Sequence, residues 1–222
     1  MGPLSNLEFQ VSGLLFDNDG VLVDSHSAAI DAWTKWCSVY SPGLDWDAQG
    51  TAGVRAEDMV RMWAPAELFD EAYAYILELE LGTAGETVPL PGSLELVSSL
   101  PPGSWTICTS ASYDLGIARV RAAGLPVPAE FVCGDDVLAG KPAPDPYLLG
   151  ASRLGLDPSR CVVFEDAVAG VQAARAAGVG VVVGIGPRVL EADVDVVVRS
   201  LEGITWANGV LSVSETSLLK GN

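Results

Sequence analysis

Histidine is nearly absent from this chain: His26 is the single one in 222 residues. Sites built from several histidine ligands are therefore excluded, and any Ser-His or Cys-His catalytic pair would have to use that residue. Lysine is almost as scarce, with only Lys35, Lys141 and Lys220. Lys220 sits in the tail, which leaves Lys141 as the sole lysine of the C-terminal half that a folded core can use. Positive charge as a whole is short, since 12 Lys and Arg stand against 29 Asp and Glu for a net charge of −17, and no basic cluster occurs. Nucleic acid and anionic membrane surfaces bind through an excess of positive charge, so neither is an expected partner. Cys37, Cys108, Cys133 and Cys161 lie far apart with no C-x-x-C. Their spacing argues against a zinc ribbon or a compact disulfide framework and for a reducing compartment. No apolar run approaches the roughly 18 residues of a membrane span, and the opening Met-Gly-Pro-Leu-Ser-Asn lacks the basic and apolar segments of a secretion signal. The expectation is a soluble, cytoplasmic protein.

What is present points to a packed globular chain: 49% of the residues are apolar and only 18% charged, a balance that a disordered chain does not have. The length suits one domain, or one core carrying a smaller insert. Short β-rich runs alternate with longer helical patterns, as in a parallel sheet covered by crossover helices. Strands are predicted over 11–16, 105–109, 161–164 and 179–185, with weaker ones over 131–133 and 194–198. Helices are predicted over 94–100, 115–123, 147–154 and 168–177, the last three stopped by Gly124, Gly155 and Gly178. From about Ser27 to Val88 the alternation breaks, leaving only helical periods over 28–39, 56–63 and 68–81. This stretch reads as an all-helical insert with Trp33, Trp36, Trp46 and Trp63 as its own small core, and Pro89, Pro91 and Gly92 mark the return. In the tail from Trp206 to Asn222, Val210, Leu211 and Val213 suggest a last edge strand.

The chemistry-bearing residues gather at the predicted strand ends. The first strand ends in Asp17-Asn18-Asp19-Gly20, where ligands bind in doubly wound sheets. Two acids at i and i+2 can divide labour, one as nucleophile and metal ligand, the other shuttling a proton. The same string also serves as a calcium loop or an ordinary turn. Thr109-Ser110 follows the 105–108 run, with a hydroxyl and turn amides able to hold a phosphoryl oxygen, or simply to begin a helix near Ser112. Gly140-Lys141-Pro142 offers an ammonium beside rigid turn residues. Glu165-Asp166 ends the 161–164 strand just before a helix, so these acids can complete a magnesium site with Asp17 or act only as helix-dipole partners.

The order D-x-D, Thr/Ser, Lys, Glu-Asp, each at a strand end, is far more specific than any one member, and with it the chain resembles the haloacid dehalogenase superfamily. Asp17 to Ser25 after Phe16 is similar to that family's first motif, Ile107-Cys108-Thr109-Ser110 to its second, Lys141 to its third and Phe164-Glu165-Asp166 to its fourth. The resemblance implies an α/β architecture: a Rossmann-like parallel-sheet core over 9–26 and 89–215, with an inserted all-helical cap over 27–88. It implies that Asp17 attacks phosphorus to give an aspartyl-phosphate, that Asp19 acts as acid and base, and that Thr109 and Lys141 hold phosphoryl oxygens. It further implies Mg2+ bound by Asp17, the Asp19 carbonyl and Asp166 with Glu165 nearby, which would offset the repulsion between carboxylate and phosphate. Because family members that dehalogenate lack the second aspartate, Asp19 implies phosphoryl transfer.

Within the superfamily the likeness is greatest to small sugar and polyol phosphatases of the 2-deoxyglucose-6-phosphate and glycerol-3-phosphate type. It rests on the strings Gly53-Val54-Arg55-Ala56-Glu57-Asp58, Gly140-Lys141-Pro142-Ala143-Pro144-Asp145-Pro146-Tyr147-Leu148 and Val162-Val163-Phe164-Glu165-Asp166-Ala167-Val168-Ala169-Gly170. It implies that Arg55 reaches down from the cap to substrate, although Ala52 stands where those enzymes usually carry histidine. Ser110 and the backbone amide of Asn18 are the other expected substrate contacts. His26 is read as a partly exposed residue at the hinge. A β-phosphoglucomutase shares all four motifs, but here Ala29 stands near the place of the mutase histidine that positions the acid/base aspartate. A non-catalytic metal- or partner-binding protein is the remaining alternative, against which the intact Asp17, Asp19, Lys141 and Asp166 speak. The expected ligand is a small phosphorylated metabolite, and the expected state is a monomer or weak homo-oligomer.

Overall fold

In the computed structural model, which describes residues 6–49 and 51–219, the strand predicted over 11–16 is confined to 13–16, and an unpredicted strand precedes it over 7–10. β1 (Leu7–Gln10) is largely exposed, whereas β2 (Gly13–Phe16) is buried at every position. Between them the Val11 amide donates to Gly209 O (2.9 Å) and the Ser12 amide to Arg160 O (2.7 Å), so the two strands belong to different sheets. The chain then forms β3 (Val23–Asp24) and three helices, α1 (His26–Tyr40), α2 (Ala56–Trp63) and α3 (Phe69–Thr83). It returns through β4 (Val88–Pro89), whose antiparallel pairing with β3 sets Val23 against Pro89 and Asp24 against Val88 and so closes the base of the helical insert. α2 ends just before Ala64-Pro65, because a residue preceding proline is pushed out of the helical region. Trp33 and Trp36 are buried, Trp33 stacks on Trp46 (centroids 5.8 Å apart) and meets Trp63 edge-on (6.2 Å). The tryptophans thus form the insert's own core, joined by Met59, Val60, Ala72 and Ile76.

The remainder alternates as the sequence predicts: α4 (Ser93–Ser99), β5 (Trp105–Cys108), α5 (Tyr113–Ala122), β6 (Phe131–Val132), α6 (Asp145–Arg153), β7 (Cys161–Glu165), α7 (Val168–Ala176), β8 (Val181–Ile185) and β9 (Val196–Val198). Six strands form one parallel sheet in the order β6-β5-β2-β7-β8-β9. Its central strands are buried throughout and mostly apolar because helices and loops cover both faces, and burying each Val, Leu or Phe contributes about 1.5–3 kcal/mol. Phe16 and Phe164, on neighbouring strands, stack with centroids 4.6 Å apart directly beneath the end of the sheet. From β2 the chain moves to β5 on one side and later to β7 on the other, so a crevice opens at the carboxyl end of β2.

Two further strands, β10 (Ile204–Ala207) and β11 (Val210–Val213), complete a three-stranded antiparallel sheet in the order β1-β11-β10. The predicted edge strand at 210–213 is therefore the middle one. The sequence reading lacked its partner, since β1 is too exposed to announce itself by apolar content. The opening residues 1–5, Gly50 and the tail residues 220–222, Lys220 among them, lie outside the described residues. No helix among the described residues is long and apolar enough to cross a membrane, and all four cysteines are free and buried.

Candidate active site

β2 delivers Asp17 just beyond the sheet, where its amide donates to Phe164 O (3.0 Å) and its side chain is buried. Lys141 enters from the loop before α6 and places Nζ 2.7 Å from Asp17 Oδ1 and 2.7 Å from Glu165 Oε1. The Tyr147 hydroxyl donates to the same Glu165 oxygen (2.6 Å), and the Ala167 amide donates to the other (3.1 Å). The ammonium also lies 5.0 Å over the Tyr147 ring. Such a buried charge persists only when paired and hydrogen-bonded, which is the condition met here. Burial would lower the Lys141 pKa, but Asp17 and Glu165 together hold it above its ordinary value, so it remains an ammonium. Burial pushes the Asp17 carboxyl well above its ordinary value, with Lys141 opposing and Glu165 and Asp166 adding to the rise. Gly170 is required at the start of α7, since a side chain there would overlap the Glu165 carboxylate.

Asp17, Glu165 and Asp166 bring carboxylate oxygens within 4.8 Å of one another. Hard anionic oxygens at this density suit a magnesium ion. The three differ in what is left to offer, however. Glu165 is committed to Lys141, Tyr147 and Ala167, whereas Asp166 accepts at Oδ2 only from the half-exposed Arg188 (2.9 Å). Burial, then the neighbouring Glu165, push the Asp166 carboxyl up to about 7, as happens to an acid crowded by acids. Gly20, at φ +81°, lies so close that any Cβ would overlap the Asp166 carboxylate.

Asp19 stands further out, its side chain 28% exposed. Oδ1 accepts from Ser25 Oγ (2.6 Å) and from an Arg119 terminal nitrogen (3.0 Å). Oδ2 has only long contacts, from Asn18 Nδ2 (3.4 Å) and Thr109 Oγ1 (3.5 Å). The second terminal nitrogen of Arg119 donates to Glu80 on α3 (3.2 Å).

A cavity of about 130 Å3 between the sheet edge and the helical insert gathers Asp17, Asp19, Thr109, Ser110, Asp166 and Arg55. Lys141 and Glu165 stand behind Asp17 rather than in its wall, so Glu165 meets the acidic cluster from the protein side. Arg55 does not reach freely into the space expected for substrate. Nε and one terminal nitrogen bind Asp58 (2.7 and 3.0 Å), and the terminal nitrogens bind the carbonyls of Gly134, Val137 and Leu138, so it docks the insert onto the loop before Lys141. Ser110 is likewise turned to the insert, its hydroxyl donating to Gly53 O (2.6 Å). The Asn18 side chain is fully buried, and its Oδ1 has no hydrogen-bond partner among the described residues. His26 begins α1 with its side chain 39% exposed, beside Arg188 (3.0 Å). Sequence reasoning gave no site role to Ser25, Glu80, Arg119, Tyr147 or Arg188. Glu80 and Arg119 look like solvent-facing helix charges until the helices are packed, whereas Ser25, in the first-motif string, and Tyr147, in the lysine-loop string, carried a local signal.

With this geometry in place the comparisons are specific. Residues 11–178 match the haloacid dehalogenase-like hydrolase family. The chain belongs to that family. Among relatives of this haloacid dehalogenase-like hydrolase, hexitol phosphatase A of Escherichia coli is 41% identical, covering 87% of this chain and 93% of its own. Glycerol-1-phosphate phosphohydrolase 2 of Saccharomyces cerevisiae is 34% identical, covering 78% of this chain and 74% of its own. A β-phosphoglucomutase structure from Clostridium difficile superposes with a TM-score of 0.72 at 22% identity, over 86% of this chain and 92% of that one, and shows the shared fold.

Proposed function

We propose that this hydrolase, a phosphoric monoester hydrolase of its family, is a Mg2+-dependent phosphatase of a small sugar or polyol monophosphate, working through an aspartyl-phosphate on Asp17. The observation that carries the reading is the contrast between two aspartates facing one cavity: Asp17 buried and pinned by Lys141, Asp19 partly exposed with one oxygen tied and the other held only by long contacts. An Asp17 carboxylate oxygen attacks phosphorus, and the bond to the leaving oxygen breaks as Asp19 donates its proton to that alcohol. Asp19, now a carboxylate, takes a proton from the water that attacks the phosphoenzyme, which releases phosphate and restores Asp17. Lys141 and the Thr109 hydroxyl hold phosphoryl oxygens and stabilise charge developing on them. Asp17, the Asp19 carbonyl and Asp166 would hold Mg2+, with Glu165 supporting Asp17 through Lys141; the ion's contribution is to offset the charge of a phosphate dianion meeting a carboxylate. In this reading residues 27–88 act as the cap over a core formed by 9–26 and 89–215. The four buried free thiols suit a cytoplasmic setting, and the expected assembly is a monomer or weak homo-oligomer.

The test is phosphate release from a panel of sugar, polyol and nucleotide monophosphates with Mg2+, with Asp17→Asn as control. Release from one polyol or hexose phosphate at a kcat/KM well above the others, abolished by the substitution, supports the reading. Glucose-6-phosphate formed from β-glucose-1-phosphate without free phosphate would overturn it in favour of a mutase.

A further inference from the structure

Arg119 projects from α5 into the interior, 5% exposed, and its two terminal nitrogens go to acids from distant parts of the chain. One is Asp19 of the loop after β2 (3.0 Å); the other is Glu80 of α3 (3.2 Å), itself 7% exposed. Taking a guanidinium and two carboxylates out of water is costly, and such buried networks rarely stabilise a fold more than packed apolar side chains would. Their presence here therefore calls for a local reason, and Asp19 supplies one. Its Oδ1 is taken by Ser25 and Arg119, which leaves Oδ2 as the oxygen without a short hydrogen bond. A guanidinium donates along fixed directions in its plane, so with the Ser25 hydroxyl it sets the rotation of the Asp19 carboxylate as well as its position. Glu80 fixes the far side of Arg119, and because α3 belongs to the helical insert the chain of contacts crosses the cavity.

We infer that Arg119, anchored by Glu80, is a positioning residue that keeps Asp19 turned with Oδ2 toward the leaving-group oxygen. This rests on Asp19 being the proton donor of the reaction proposed above. An alkoxide leaves poorly without a proton, whereas p-nitrophenolate leaves without one, so a misplaced acid penalises the first kind of substrate selectively. Damage to the fold, or loss of phosphate binding, penalises both alike.

The experiment compares kcat/KM for glycerol phosphate and p-nitrophenyl phosphate in the full-length protein and in Asp19→Asn, Arg119→Met, Arg119→Lys and Glu80→Gln, with thermal melts of each. Arg119→Met should lose about 10²-fold or more in kcat/KM on glycerol phosphate and less than about threefold on p-nitrophenyl phosphate, matching the pattern of Asp19→Asn, because kcat/KM reads the steps up to the phosphoenzyme and not the later proton transfer from water. Arg119→Lys, which keeps the charge but cannot fork between two acids, and Glu80→Gln should fall about tenfold on glycerol phosphate alone. If Arg119→Met does not fold, the last two variants carry the same comparison. Selective loss in Asp19→Asn but equal or no loss in the Arg119 and Glu80 variants overturns the inference. Equal loss on both substrates in Asp19→Asn overturns instead the assignment of Asp19 as the acid, and the inference with it.

Discussion

The two walls of the cavity hold their charges in opposite ways. On the sheet side Asp17, Lys141 and Glu165 are buried, meet at 2.7 Å and are each delivered by a strand end or an adjoining loop. On the helical side contact with the core runs through hydrogen bonds to carbonyls, from Arg55 to Gly134, Val137 and Leu138 and from Ser110 to Gly53, and through the buried Arg119–Glu80 pair, while the insert's bulk rests on its own tryptophan core. A floor assembled from the sheet cannot lose Lys141 without stranding buried carboxylates on both sides of it. The wall opposite can exchange side chains while both cores stay packed, which is how one fold comes to serve different substrates. The chemistry is thus rigid where the selectivity is free to vary.

That contrast is most sharply broken at Asp17. Asp17→Asn should lower turnover by at least about 10⁴-fold while the protein melts at or above the wild-type temperature, because a nucleophile goes and a strained buried charge goes with it. A variant that keeps measurable phosphate release would place the nucleophile elsewhere. Next in size, Lys141→Met removes one partner of a buried pair and should cost about 3–5 kcal/mol in urea unfolding near neutral pH, in addition to activity. A cost under about 1 kcal/mol would mean that the floor is not preorganised by this contact.

The metal comes third. Burial, followed by Glu165, raises the folded pKa of Asp166 to about 7, above its unfolded value. The stability this acid contributes to the metal-free protein is therefore present below the ordinary carboxylate range and lost as pH rises through about 7. Mg2+ takes the ionised form, so the gain in melting temperature with Mg2+ over EDTA should grow from about pH 5.5 to pH 8. A gain independent of pH contradicts that role for Asp166.

On the helical wall the effects shrink. Arg55→Ala should raise KM for a polyol phosphate by several-fold, about 1–2 kcal/mol, and leave p-nitrophenyl phosphate nearly unaffected, since it unfastens the insert without touching the floor. Equal loss on both substrates would show that the docking contact also shapes the Lys141 loop. The smallest effect belongs to Thr51, whose buried hydroxyl has no partner among the described residues and borders the cavity. Thr51→Val should leave stability within about 0.5 kcal/mol of the wild type and raise KM only for substrates whose hydroxyls reach it. An unchanged KM across the panel would remove Thr51 from the selectivity wall.

The same division governs what could be read from the sequence. The parallel core was legible because its strands are mostly apolar runs, three of its helices stop at glycines, and Asp17, Thr109 and Asp166 each follow a strand directly, whereas Lys141 lies in the loop well beyond β6 and stood out by the scarcity of lysine. Asp17, Asp19, Thr109, Lys141 and Asp166 could be named together for that reason. Contacts between elements distant in sequence were not legible: Arg119 and Glu80 are 39 residues apart and neither sits in an apolar string. Arg55 was expected to reach down to substrate, whereas in the structure its partners are Asp58 and three backbone carbonyls, which no side-chain pattern reveals. β1 escaped notice for a related reason, since an exposed strand is held by a partner some 200 residues away and not by its own composition.

That strand has a consequence in time. Leu7 pairs with Val213, and Gln10 with Val210, so β1 cannot find its neighbour until residues 210–213 have left the ribosome. At about 5–20 residues per second this leaves its backbone donors and acceptors unpaired for roughly 10–40 s. During synthesis the six-stranded sheet can assemble from strands already emerged, while the small antiparallel sheet closes last, like a clasp joining residues 7–10 to residues 204–213.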